Sequence, residues 1–102
     1  MLASFSIIPI GVGEELKQYV AEVVDIIDRS GLNYKLGAMQ TTIEGSLEDV
    51  MHLILKCQNH MAKIAPRVIT QIITDDRKEE TNALIKKVSD VEEILGRTLP
   101  QD

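Results

Sequence analysis

The sequence predicts an α+β domain, with two helices across one face of a four-stranded antiparallel sheet and one more helix at the C-terminal end. Three observations lead there. Apolar and small hydroxyl residues alternate near the N-terminus, β-branched runs recur at 39–44 and 67–74, and three longer segments carry apolar residues at helical spacing. Their order along the chain is β-α-β-β-α-β-α. At 102 residues the chain is one domain's worth, with 1–98 as the domain and 99–102 as a tail.

The first strand runs from Leu2 to Ile8. Ser4, Ser6 and Ile8 alternate there with Ala3, Phe5 and Ile7, so the strand has two unlike faces, and Pro9 with Gly11-Val12-Gly13 punctuates its end. From Glu14 to Ser30 the period changes. Leu16, Val20, Val23, Val24 and Ile27 form an apolar stripe opposite Glu15, Lys17, Glu22, Asp25 and Arg29. Glu14 and Glu15 suit a first turn, and Gly31 suits a stop. Leu32 to Leu36 is a short strand, Gly37-Ala38 a turn, and Met39 to Glu44 the return strand.

Ser46 is a candidate N-cap with Asp49 three residues on. Val50, Ile54, Cys57 and Met61 line one face of the second helix, flanked by Leu47 and Leu53, and Pro66 ends any continuation. Arg67 to Thr74 is the most β-branched run, closed by Asp75-Asp76-Arg77. Leu84, Val88, Val91 and Leu95 mark a last helix over about Thr81 to Gly96, after which Leu99 to Asp102 should fray. With right-handed crossovers this is the ferredoxin-like sandwich. Its helix-free face would carry Ser4, Ser6, Thr42, Glu44, Ile69, Gln71, Ile73 and Asp75. That surface is too polar for a core and too apolar to be merely wet, which suggests subunit packing around a polar pocket.

Composition excludes several functions. Sixteen acids against eleven bases give a net charge of −5, and Phe5, Tyr19 and Tyr34 are the only aromatics. Neither a basic nucleic-acid footprint nor the stacking platform of an RNA-recognition module fits. One cysteine builds no disulfide framework, no apolar stretch approaches the roughly 18 residues of a membrane span, and no basic lead-in opens a signal peptide. A cytoplasmic location is expected. Cys57 lies on an apolar stripe and reads as a buried structural thiol. His52 and His60 are eight residues apart, roughly 12 Å along a helix, too far to share a metal. Gly11-Val12-Gly13 lacks the third glycine and following Lys-Ser of a phosphate loop and reads as a turn. An acylphosphatase needs an arginine after its first strand, and residues 9–13 have no basic residue. Amino-acid-sensing regulatory domains usually accompany a catalytic domain, for which this length has no room.

Glu44 sits where a β-branched strand gives way to Gly45-Ser46 and a helix. A strand glutamate is either a solvated edge charge or the anchor of a polar pocket. At a strand end it could also cap neighbouring backbone or pair with Arg77.

Five segments together carry a family resemblance: Phe5 to Gly11, Tyr19 to Glu22, Ser30 to Leu36, Met39 to Gly45, and Asp75-Asp76-Arg77. In this order they resemble the thiamine-binding protein family of the MTH1187/YkoF type (UPF0045), over about Phe5 to Leu95. The resemblance implies a ferredoxin-like domain that forms dimers or homotetramers through its open sheet face. It also implies non-enzymatic binding of thiamine or a related pyrimidine such as hydroxymethylpyrimidine, with no required cofactor, no metal and no catalytic residue. Relatives carry glycine where this chain has Gln40, which narrows the pocket or adds an amide donor. Thiamine joins a cationic thiazolium to an aminopyrimidine, so a sheltered carboxylate could bind either part through charge-assisted bonds. On that basis the ligand-binding candidates are Glu44 first and Asp75 second. Ser6 and Thr42 would supply hydroxyls, Gln71 an amide and Met39 a soft wall. The alternative function is a regulatory or structural homo-oligomeric module with a different small ligand.

Overall fold

The structure, a computed structural model, describes residues 1–14, 16–78 and 81–101. It is an α+β fold with elements β1 (Leu2–Ile10), α1 (Leu16–Arg29), β2 (Asn33–Leu36), β3 (Thr41–Glu44), α2 (Leu47–Ala62), β4 (Arg67–Asp75) and α3 (Ala83–Leu95). The sheet is antiparallel in the order β2-β3-β1-β4. This is the expected ferredoxin-like arrangement.

The alternation in β1 decides which face is which. Ala3, Phe5 and Ile7 turn toward α1 and α2 and pack with Val23, Ile27, Ile43, Val50, Leu53, Ile54, Cys57 and Met61. Burial of these side chains is the main stabilising term, of order 25 cal/mol per Å² removed from water. Ser46 caps α2 as its residue type predicts, its Oγ accepting the Asp49 amide at 3.1 Å.

Several boundaries differ from the sequence reading. β1 continues through Pro9 to Ile10, because past Phe5 its sole neighbour is β4; one edge is free for a residue with no N–H. Glu14 precedes α1 rather than opening it, and Glu15 lies outside the described residues. β3 begins at Thr41: the Gly37 amide bonds the Gln40 carbonyl at 3.0 Å, which places Met39 and Gln40 in the turn. The tail does not fray along its described part. Gly96, at φ 70°, adopts the left-handed conformation that glycine tolerates and reverses the chain. The Leu99 amide then donates to Glu92 Oε2 at 2.6 Å.

The placement of α3 matters most for function. It crosses the sheet face opposite α1 and α2, over β2 and β3. Leu84 and Ala83 bury against Leu2 as a second small apolar cluster. The face is thus roofed at one end and bare at the other.

Candidate functional site

The sheet face expected to be helix-free is partly covered by α3, and cross-strand register fixes what it presents. Residues directly paired in an antiparallel sheet share a face, so Asn33, Glu44, Leu2 and Asp75 form one row. Lys35, Thr42, Ser4 and Ile73 form the next, followed by Ser6 with Gln71 and Ile8 with Ile69. α3 lies over the β2 and β3 ends of the first two rows.

Glu44, foremost of the expected ligand contacts, holds α3 in place. Its Oε2 accepts the Ala83 amide at 2.7 Å, and its Oε1 accepts the Leu84 amide at 3.4 Å. Asn82 enters the helix at φ 59° and supplies no side-chain cap, so a carboxylate from the sheet takes that role and meets the positive end of the helix dipole. Asp75 is also bound to α3, through Lys87 Nζ at 2.5 Å. That hydrogen bond and the lysine's charge hold the Asp75 carboxyl below its ordinary value, with Arg77 adding to the effect. Of the roles open to Glu44 from sequence, backbone capping is the one its geometry displays.

Beneath α3 and the returning tail lies a cavity of about 470 Å³. Its floor is Lys35 and Thr42, its roof Lys87, Val88 and Val91, and the tail at Leu99 and Pro100 borders its open mouth. Gln40 enters from the turn. Its Oε1 accepts the Ser4 hydroxyl at 2.6 Å, while its amide nitrogen is a donor on the other arm. Lys35 Nζ donates to Gln101 Oε1, tying the tail to the floor. The walls are mainly hydrocarbon with a few polar groups, the usual make-up of a small-molecule site. Two ammonium groups border the cavity, and its described lining contains no carboxylate.

Of the six sequence candidates, Thr42 lines this cavity. Ser6 and Gln71 face each other in the bare part of the sheet face, and Met39, 88% exposed, stands at the turn tip beside α1. Sequence reasoning passed over Lys35 and Lys87 as lining residues and Ser4 as the partner that holds Gln40. Lys35 and Ser4 were reachable, since alternation puts them in one row with Thr42. No local pattern places Lys87, because its position depends on where α3 packs.

Away from the cavity, the Cys57 thiol is fully buried and its pKa is pushed up to about 11 by desolvation. His60 Nε2 lies 3.6 Å from Glu22 Oε1, on the far side of the helices from the cavity.

Comparison with known proteins places this geometry in context. Residues 3–92 match the family described as Thiamine-binding protein. A UPF0045 protein of Mycobacterium bovis is 38% identical over 98 residues, covering 95% of this chain and 96% of its own. A UPF0045 protein of Methanocaldococcus jannaschii is 26% identical, and its crystal structure superposes with a TM-score of 0.82 over 90% of this chain and 95% of that one. A Thermotoga maritima protein, provisionally described as one of thiamine biosynthesis or salvage, shares the fold at a TM-score of 0.76 and 23% identity, over 88% of this chain and 96% of that one.

Proposed function

Because the chain belongs to the thiamine-binding protein (UPF0045) family, we propose that it is a non-enzymatic binding protein for thiamine or a related pyrimidine. The ligand sits between α3 and the sheet face away from α1 and α2. The observation that carries this reading is the roofed cavity of about 470 Å³ with apolar walls and a polar edge. Val88, Val91 and Leu99 provide surface for a flat ring, and Thr42 with Gln40 provides the donors and acceptors that an aminopyrimidine edge requires. Such binding needs no cofactor.

The charge of the lining narrows the ligand. Lys87 is already paired with Asp75, whereas the Lys35 ammonium meets the neutral Gln101 side chain, so Lys35 disfavours a bare thiazolium cation and favours a phosphate ester of thiamine, or a neutral hydroxymethylpyrimidine. Glu44 and Asp75 serve the ligand indirectly, by anchoring the helix that covers it. Ser6 and Gln71 lie in the bare half of the face among Ile8, Ile69 and Ile73. That apolar strip suits packing against further copies in a dimer or tetramer. No helix among the described residues is long and apolar enough to cross a membrane. The lone, buried, unpaired Cys57 suits a reducing cytoplasm.

Isothermal titration calorimetry tests the ligand. Thiamine monophosphate should bind more tightly than thiamine, and Lys35→Ala should weaken it about tenfold, the scale of one charged hydrogen bond. Absence of heat with thiamine, its phosphates and hydroxymethylpyrimidine would defeat the reading.

A further inference from the structure

Helix α2 carries a charge pattern that neither its packing nor the cavity beneath α3 uses. Val50, Ile54, Cys57 and Met61 bury one side of it. Its acids, Glu48 and Asp49, are confined to the first turn, and no carboxylate follows from Val50 to Lys63. Over the same span His52, Lys56, His60 and Lys63 recur every three or four residues, which aligns them along one stripe. Lys63, the C-cap, keeps helical dihedrals and so continues the stripe. A solvated helix face ordinarily mixes charges of both signs. In a chain of net charge −5, a stripe of one sign is a departure from that pattern.

The stripe borders a second cavity, about 550 Å³ in volume and larger than the one beneath α3. All four stripe residues line it, with Asn59 beside them and Ile26 of α1 and the exposed Leu55 as its apolar wall. No carboxylate lines it among the described residues. The acids of α1 are engaged already. Asp25 pairs with Arg29 at 3.1 Å, Asp28 accepts the Tyr34 hydroxyl at 2.8 Å, and Glu22 Oε1 stands 3.6 Å from His60 Nε2. Lys56 and Lys63 make no hydrogen bond or ion pair among the described residues. His60 Nε2 is shielded from solvent and, with Glu22 beyond hydrogen-bond range, lacks a partner. An orphaned buried polar atom is uncommon in a native fold and marks a place for a bound group.

We propose that the cleft between α1 and α2 binds a small organic dianion of the diphosphate type. Lys56 and Lys63 are seven residues apart on one side of the helix, about 10 Å along its axis, which matches two linked anionic groups better than one. Each ammonium gives charge-assisted bonds to such oxygens. His52 and Asn59 add donors, and Ile26 with Leu55 offers apolar surface to the organic part. The volume is that of a small-molecule site. The cleft shares no residue with the cavity beneath α3, so the two readings stand or fall separately.

Amide NMR during titration with inorganic pyrophosphate tests it, at about 0.15 M salt so that unspecific attraction is screened. Saturable shifts should appear at His52, Lys56, Asn59 and Lys63, and pyrophosphate should bind at least about tenfold more tightly than inorganic phosphate. Lys56→Gln and Lys63→Gln, both at exposed positions that folding does not depend on, should each weaken pyrophosphate about tenfold. Lys86→Gln, an exposed lysine of α3, is the control and should leave it unchanged. Shifts that never saturate, or that spread over lysines of the whole surface, would overturn the proposal, as would wild-type affinity in either cleft variant. A tetraglutamate peptide that binds the cleft more tightly than pyrophosphate would replace the small dianion with an acidic protein segment and overturn it equally.

Discussion

The sheet face away from α1 and α2 presents a mixture of polar and apolar side chains at both its ends, and yet the two ends have become different surfaces. At the β2–β3 end, Lys35 and Thr42 lie under α3 and floor a cavity. At the β1–β4 end, Ser6, Ile8, Ile69 and Ile73 are uncovered, with Ile73 66% exposed. The difference lies in three attachments of α3: Leu84 packed on Leu2, Glu44 bonded to the first amides of the helix, and Asp75 paired with Lys87. A pocket on a sheet is thus made by what the sheet holds above it as much as by its own side chains.

Substitutions ordered by expected effect can break or sharpen that contrast. Ile43, fully buried beneath the helix-covered side of β3, sets the scale for true core. Ile43→Ala should cost about 2–5 kcal/mol in urea unfolding. Glu44→Ala should come next, at about 1–2 kcal/mol, the cost of a lost N-cap. Hydrogen exchange should then quicken at the Ala83 and Leu84 amides before it changes in α2. Ile73→Ser, at the bare end, should alter monomer stability by no more than about 0.5 kcal/mol. A large loss there would mean that the bare end is structurally covered after all.

The smallest effect concerns pH. Lys87 lowers the folded-state pKa of Asp75 from 3.8, so stability from this pair is fully present above that unfolded value and is lost as pH falls through the lower folded one. The gap in stability between wild type and Asp75→Asn should therefore narrow as the pH falls from neutral to below 3.8. A gap that widened on acidification would reverse the assigned sign.

The elements themselves were legible because their periods are strong. The stripe Val50, Ile54, Cys57, Met61 is buried as its spacing predicts, and the β1 alternation sorts Ala3 and Phe5 to the core. Boundaries were harder where tertiary pairing overrides local preference. Pro9 is tolerated because an edge is free, and Met39 is lost from β3 because a Gly37–Gln40 turn closes first. The site was half legible. Thr42 follows from alternation, and Lys35 and Ser4 would have followed by the same rule. The role of Glu44 depends on a helix that starts 39 residues later in sequence, and no local pattern records that meeting. The return of the tail over the cavity, through Leu99 and Glu92, was hidden for the same reason.

The central claim, that the roofed end of the face is the binding end, is tested most directly by amide NMR during titration with thiamine monophosphate. Saturable shifts should concentrate at Lys35, Thr42, Val88 and Leu99, with Ile69 to Ile73 unmoved. Shifts confined to the bare end, or none at millimolar ligand, would contradict it.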